Sequence, residues 1–360
     1  MKQKILSIAC LLASVIPCTA QTEVTTYQPG ITEDGITYFL PSTQIRVVVT
    51  ATKTHFEPGE FCSYAERFLR LKNVTQTAYD QWHIESIKLY AFGTANKSQA
   101  YSIKMKQKTS APLVSLSPDG RLLAINDKVT LTDDKLPTSS VTREESNKQN
   151  AENFKTEEIL SAGSTEKMAE LTANEIYDIR ENRGLLTKGQ ADFMPKDGEQ
   201  LKLMLANLDT QEDGLLQLFR GTSSKETHVL TFDITPTKDV EKQVLFNFSK
   251  YLGIVDNDDP AGTPVYFSVK DLKTLPAVSV NPNAKAKKEN EDLRYIVPSR
   301  AEIKVFNDSQ EFISQSFPMA QFGRVEHLGG ELFNKKNTTS VQLDPTTGGI
   351  YKIKAESPDK

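Results

Sequence analysis

The sequence predicts an α+β protein: two β-rich domains, sandwich-like or curved-sheet, joined by an antiparallel helical hairpin. Three observations predict it. Ile45, Val47, Val49 and Ala51 alternate with Arg46, Val48, Thr50 and Thr52, the period of two of a strand with one buried face. Residues 161–221 carry two one-sided helical patterns in succession. From His228 onward, seven short strand patterns are separated by turns, the spacing of a sandwich or a strongly curved sheet. The expected division is 1–20 signal peptide, 21–132 N-terminal β-rich domain with one helix, 133–160 linker, 161–221 helical hairpin and 222–360 C-terminal β domain.

Taken in order, Lys2 and Lys4 form a charged n-region and Ile5–Ile16 an apolar h-region too short to span a bilayer. Cys18-Thr19-Ala20 places small residues before a cut at Gln21. Lipidation at Cys18 would need a small residue in front of it, and Pro17 is a poor match. No later stretch approaches the ~20 apolar residues of a spanning helix. The expected location is therefore outside the cytoplasm, in the periplasm, at the outer membrane surface or in the medium. Of the three cysteines, Cys10 and Cys18 leave with the leader, so Cys62 remains alone and no intrachain disulfide is expected. Losing Lys2 and Lys4 takes the formal charge from −4 to −6. With no basic stripe interleaved with aromatics, nucleic acid is excluded as a partner.

After a polar lead-in, the strand at Ile45–Thr52 turns at Glu57-Pro58-Gly59 into a helix with Phe61, Tyr64, Ala65, Phe68 and Leu69 at helical spacing. That stripe is expected to pack on the strand, with Phe68 and Leu69 buried and Cys62 lacking a histidine partner. Trp82–Phe92 exchanges the character of its two faces midway, which a strand with a bulge would do. Ala100–Lys106 reads as a further strand. Leu113–Leu116 and Leu122–Ile125 flank Ser117-Pro118-Asp119-Gly120, the chemistry of a tight hairpin turn. The hairpin resembles one strand pair of a WD propeller blade, but no copies recur at the ~40–45-residue period that fold needs. Its echo is Val341–Ile353, suggesting that each β domain closes with the same sort of hairpin. Residues 133–155 lose apolar periodicity. Ser164 or Thr165 caps a helix bearing Met168, Leu171, Ile176 and Ile179 that should end near Asn182-Arg183-Gly184. Asp197 and Gln200 form a capping box for a second, with Leu201, Met204, Leu205, Leu208, Leu215 and Phe219 on its stripe and Gly221 as its stop. The final strands are Val229–Ile234, Val244–Phe248, Val265–Val269, Ala301–Phe306, Glu311–Phe317, Ser340–Leu343 and Ile350–Ile353.

No nucleotide-binding, serine-hydrolase or zinc-protease motif is present. His55, His83, His228 and His327 are scattered singly, whereas zinc needs three or four ligands brought together. Cys62 near a helix start, with His55 close in sequence, has the parts of a thiol–imidazole pair. A packing role beside Phe61 and Tyr64 is the plainer reading. Asp256-Asn257-Asp258-Asp259 opens like a calcium loop, but Pro260 and Phe267 stand where an EF-hand needs ligands, so a turn is expected. Lys285-Ala286-Lys287-Lys288 runs into Glu289 and reads as solvated loop. The sequons at Asn73, Asn96, Asn247, Asn307 and Asn337 fit chance occurrence in a polar chain. Acidic residues are plentiful, yet nothing singles out a catalytic pair. No catalytic residue, cofactor or metal is assigned.

Three segments, YFLPSTQIRVVVTATKTHFEPGEFCSYAERFLRL (38–71), SAPLVSLSPDGRLLAIN (110–126) and the stretch from Ala173 to Thr222, resemble an exported Bacteroidetes family catalogued as a domain of unknown function, DUF4831. The resemblance spans essentially the whole chain after the leader. It implies a bacterial envelope or secreted protein and brings no catalytic residues. The function expected is a non-catalytic binding protein whose partner is an envelope protein or a glycan. The alternative is a hydrolase acting on carbohydrate or peptide through acidic residues the sequence does not single out. A third role is structural, with the helical hairpin pairing with another subunit.

Overall fold

A computed structural model describes residues 36–103, 114–129, 131, 135–144, 150–277, 293–328 and 338–356. The signal peptide with Cys18, the Lys285–Lys288 cluster and Asn337 lie outside the described residues. The chain is β-rich. Its strands are β1 (Ile36–Glu57), β2 (Tyr79–Ile103), β3 (Val114–Leu116), β4 (Leu122–Ile125), β5 (Ser140–Arg143), β6 (Thr222–Ile234), β7 (Val240–Ser249), β8 (Gly253–Val255), β9 (Thr263–Asp271), β10 (Leu293–Phe306), β11 (Glu311–Leu328), β12 (Thr338–Leu343) and β13 (Ile350–Glu356). Helices are few: α1 (Ala65–Leu69), α2 (Glu157–Leu160), α3 (Thr165–Lys188) and α4 (Gly198–Arg220), with 3-10 turns at Cys62–Tyr64 and Ala151–Phe154. No helix among the described residues is long and apolar enough to cross a membrane.

The sheets are antiparallel, in the orders β2-β1-β6-β5, β11-β10-β9-β7-β8 and β13-β12-β4-β3. They do not respect the expected partition at 221/222. β1 and β2, from before the helices, share a sheet with β6 from after them, while β4 pairs with β12. The two similar hairpins close one sheet together instead of one domain each. Apolar alternation identifies the buried face of a strand but not its partner, and these pairings join residues far apart in sequence. The expected linker is also partly built in: β5 joins the edge of the first sheet, and residues 151–160 form a 3-10 turn and α2.

The alternating face of β1 lies in the core as its pattern requires. Ile45, Val47 and Val49 are buried with Ile87 and Leu89 of β2 against Phe246, Val265, Val269, Ile303, Val305 and Met319 of the second sheet. Each fully buried aliphatic side chain removes enough apolar surface to contribute about 1.5–3 kcal/mol. Pro41 is tolerated in this strand because β6 pairs only with Ile45–Glu57, leaving Pro41 one neighbouring strand. The bulge expected in Trp82–Phe92 is at Glu85, since Ile84 pairs with Ala51 and Ser86 with Thr50. β2 then continues through residues 93–103 as one strand rather than two. Tyr38, Leu40, Leu122, Ile125, Ile296, Val341 and Leu343 close a second core beneath the third sheet.

The stripe of the opening helix packs elsewhere than expected. Phe61, Ala65 and Leu69 are buried against Ala169, Ala173, Ile176, Leu215 and Phe219 of α3 and α4, with the Phe61 and Phe219 rings 5.5 Å apart. Leu69 is buried, whereas Tyr64 and Phe68 are only partly so. Amphipathic spacing marks a face to cover, and the helical pair covers it. α3 is capped by the Ser164 hydroxyl and runs a turn beyond Gly184 to a left-handed Gly189. Asp197 Oδ1 accepts from the Gln200 amide at 2.7 Å, while the Gln200 side chain reaches one residue further back than a capping box, to the Lys196 amide. Arg180–Glu212 and Arg183–Asp209 ion pairs fix the two helices as antiparallel.

Candidate functional site

Where β1 ends, the chain turns sharply against the C-terminus of α4. Gly59 lies so close to the Leu218 carbonyl that a Cβ there would overlap it, and the Phe61 amide donates to that oxygen at 2.7 Å. Gly221 ends α4 at φ +81°, a conformation that side chains rarely adopt. The Asn150 side chain caps the turn at Ala151–Phe154 by accepting from the Glu152 amide. These three elements enclose an open cleft of about 350 Å³, lined among others by Glu57, Glu60, Asn150, Glu152, Gln217 and Thr222, with Pro58 and Leu218 as apolar surface.

Lys155 organises its acidic side. The ammonium donates to Glu152 Oε1 at 2.7 Å and Glu60 Oε2 at 2.9 Å and sits 5.7 Å from the Phe61 ring centre. Its side chain is 4 % exposed. Burial alone would lower the Lys155 pKa, but Glu152 and Glu60 outweigh it and hold the ammonium above its usual range. Two of the cleft's carboxylates thus share a single cation belonging to the protein, and the three groups together keep a net negative charge.

The third, Glu57, borders a polar grid on the adjoining face of the first sheet. His55 stands opposite Asp80 of β2 and Ser224 of β6, Lys53 opposite Trp82 and Glu226, and Glu57 opposite Thr222. His55 Nδ1 lies 2.6 Å from Asp80 Oδ1 and Nε2 3.5 Å from Glu57 Oε1. The Asp80–His55–Ser224 row contains the residue types of a serine hydrolase, but the Nε2 that would reach the serine faces Glu57. Hydrogen bonds donated by the ring to Asp80 and then to Glu57 raise the His55 pKa from its ordinary value, the opposite of what a resting general base needs.

The histidines do not converge. His55 has its carboxylates, His83 pairs with Thr52 on the other face of the sheet, His228 meets the edge of Trp82 at 4.7 Å, and His327 lies against Arg294 on β10. Cys62 is a free, partly exposed thiol beside the Phe61 turn, and His55 is bound to Asp80 and Glu57 instead. Among the described residues, no group of three or more His, Cys, Asp or Glu is placed to hold a metal ion. In the Asp256–Asp259 loop, the backbone carbonyls of Asp256, Asn257 and Asp259 converge on the Asn247 side-chain nitrogen at 2.9–3.3 Å. An amide donor fills the centre of that loop. Asn247 is buried and so engaged, which removes its sequon from the surface.

A family model described as Domain of unknown function (DUF4831) matches residues 34–351. The chain belongs to this family. No curated protein and no solved structure matches the chain. Membership in DUF4831 therefore assigns no residue a role, and the cleft rests on its own geometry. Sequence reasoning missed it because Glu152 and Lys155 lie in a stretch without apolar periodicity. The one local signal there is Asn150, a capping residue two positions before the glutamate whose amide it binds.

Proposed function

We propose that this DUF4831 protein is exported and acts as a non-catalytic binding protein in the cell envelope or medium, with a glycan as ligand of the cleft. The carrying observation is a cleft of about 350 Å³ whose polar groups are carboxylates, amides and a hydroxyl held on three packed elements. That volume fits a small ligand or the end of a chain, for which pockets run ~300–1,000 Å³. A protein interface would need roughly 800 Å² on each side. Planar acceptors and amides over Pro58 and Leu218 suit a ring with hydroxyls on its edge and C–H groups on its faces. Export is supported by the Lys2/Lys4 n-region, the h-region and the Cys18–Ala20 cleavage pattern.

The hydrolase alternative has less support. It asks for one carboxyl kept protonated beside one ionised. Asp80, Asp119, Glu212, Asp233 and Glu326 are all held below the usual carboxylate range with basic neighbours at hand, so none of the five suits the acid role. Glu60 and Glu152 are committed to Lys155. A glycan array followed by calorimetry tests the proposal: a hit should weaken at least tenfold in Glu152→Gln and Gln217→Ala, corresponding to the ~1.4 kcal/mol of one lost polar contact. A response in a glycosidase or esterase screen with no glycan bound would sink it. N-terminal sequencing of secreted material should begin at Gln21.

A further inference from the structure

We propose that the outer edge of β13 takes up an extended segment of a partner protein as a further strand, one that alternates apolar and acidic residues. This surface is separate from the cleft and does not depend on it. β13 ends the third sheet, with β12 as its one neighbouring strand among the described residues. In an antiparallel pair, alternate residues exchange their N–H and C=O groups, so the residues between them turn theirs away from β12. Such an edge is a template for another strand, whose main-chain bonds supply affinity and whose alternate side chains supply specificity.

The side chains of β13 select the strand. Val114, Ile125, Val341 and Ile353 stand opposite one another across all four strands of the sheet. Ile125 and Val341 are buried in the core beneath it, whereas Ile353 at the end of the row is 47 % exposed. Tyr351, the extra residue at the β13 bulge, is 77 % exposed. Lys352 and Lys354 alternate with Ile353, opposite Gln342 and Ser340, and both are exposed and without an ion pair among the described residues. An incoming strand therefore meets an unfinished apolar row at Ile353 and positive charge on either side of it. An apolar residue over Ile353 lengthens the row, and carboxylates two apart from each other answer the lysines. The same lysines disfavour a second copy of this chain, because β13 laid antiparallel on itself about Ile353 sets Lys352 against Lys354. β5, the exposed edge of the first sheet, lacks this pattern, and its Arg143 already faces Glu226.

NMR on the full chain, titrated with a synthetic peptide alternating valine and glutamate, tests this. Shifts should centre on β13, with amide exchange slowed along its outer edge, and binding should weaken as salt is raised. Reversing both charges, Lys352→Glu with Lys354→Glu, should weaken it by about tenfold or more. Ile353→Thr keeps a β-branched side chain on the strand and should also weaken binding, with circular dichroism unchanged. A peptide with lysine in place of glutamate should not bind. No shift in β13 at millimolar peptide, or equal binding by the charge-reversed variant, would overturn the proposal. A concentration-dependent dimer in ultracentrifugation that Ile353→Thr dissolves would assign the edge to a second copy and overturn it as well.

Discussion

Thr43 and Gln321 bind one another as if they were neighbouring strands. The Thr43 amide donates to Gln321 Oε1 at 3.0 Å, and Gln321 Nε2 donates back to the Thr43 carbonyl at 2.7 Å. The pairing is possible because β11 leaves register with β10 here: Met319 pairs with Ser299 and Arg324 with Val297, so the residues between are free to reach β1. The Thr43 hydroxyl completes the junction by accepting from the Ala320 amide and donating to the Thr346 carbonyl, both at 3.0 Å. One fully buried threonine thus ties together the first sheet, the second and the turn of the third.

Thr43→Val keeps the shape and deletes the hydroxyl, leaving the Ala320 N–H and Thr346 C=O without this partner. A buried polar group left unsatisfied costs ~1–3 kcal/mol, so a loss of roughly 2–4 kcal/mol is expected in urea unfolding, with an unchanged m-value. Thr43→Ser should recover most of it. A neutral valine variant would show that the junction is not stabilising.

Glu212 is the buried charge of the helical pair, with a side chain 10 % exposed between Arg180 and Arg183. Burial disfavours its charged form, but the two guanidiniums outweigh this and hold its carboxyl below the usual range. A depressed carboxyl contributes stability that is present above its unfolded pKa and is lost as pH falls through its folded one. Glu212→Gln should therefore destabilise the protein at neutral pH by about 1–3 kcal/mol, less than the ~3–5 of a wholly buried pair because the arginines are partly solvated. The gap to wild type should narrow on acidification. Denaturation followed from neutral to acid pH checks both the size and the sign.

The contrast between those two sites shows what the sequence makes legible. Local periodicity places the faces of β1, a bulge within Trp82–Phe92, the turn at Ser117–Gly120 and the caps at Ser164 or Thr165 and at Asp197, because each depends on a few adjacent residues. Val341 gives no sign that it will pair with Ile125, and Phe61 gives none that it will meet Phe219 rather than the strand before it. A hydrophobic pattern records burial without naming the partner. The cleft is less legible still: Glu57 and Glu60 come from one segment, Glu152 and Lys155 from another, and Lys155 meets a Glu60 that is 95 residues away in sequence. Polar residues brought together by tertiary packing carry no period.

Asn247 should behave as a structural donor in the Asp256–Asp259 loop. Asn247→Asp replaces the nitrogen facing three carbonyls with an anionic oxygen, turning three attractions into repulsions. A loss of about 2–4 kcal/mol follows from desolvated, unpaired acceptors. In the wild type, calcium and a chelator should leave the melting temperature equal, since the position a cation would take is filled by an amide. A calcium-dependent rise in melting temperature would contradict this account.

The glycines at the cleft make the sharpest test of how its shape is set. Gly221 combines φ +81° with backbone contact to the Glu57 carbonyl and a site only 2.7 Å from the Phe56 ring. Alanine there meets both a disfavoured backbone and a clash. Gly59 has no positive φ, so alanine at that position meets the clash alone, against the Leu218 and Gln217 carbonyls. Overpacking of this kind costs ~1–3 kcal/mol, and the left-handed conformation adds roughly 1 more. Gly221→Ala should therefore unfold at lower denaturant than Gly59→Ala, and both below wild type. Gly163→Ala, with nothing within 4 Å of the added carbon, provides the control. Equal midpoints for the two cleft variants would mean that contact rather than backbone conformation governs the turn off α4.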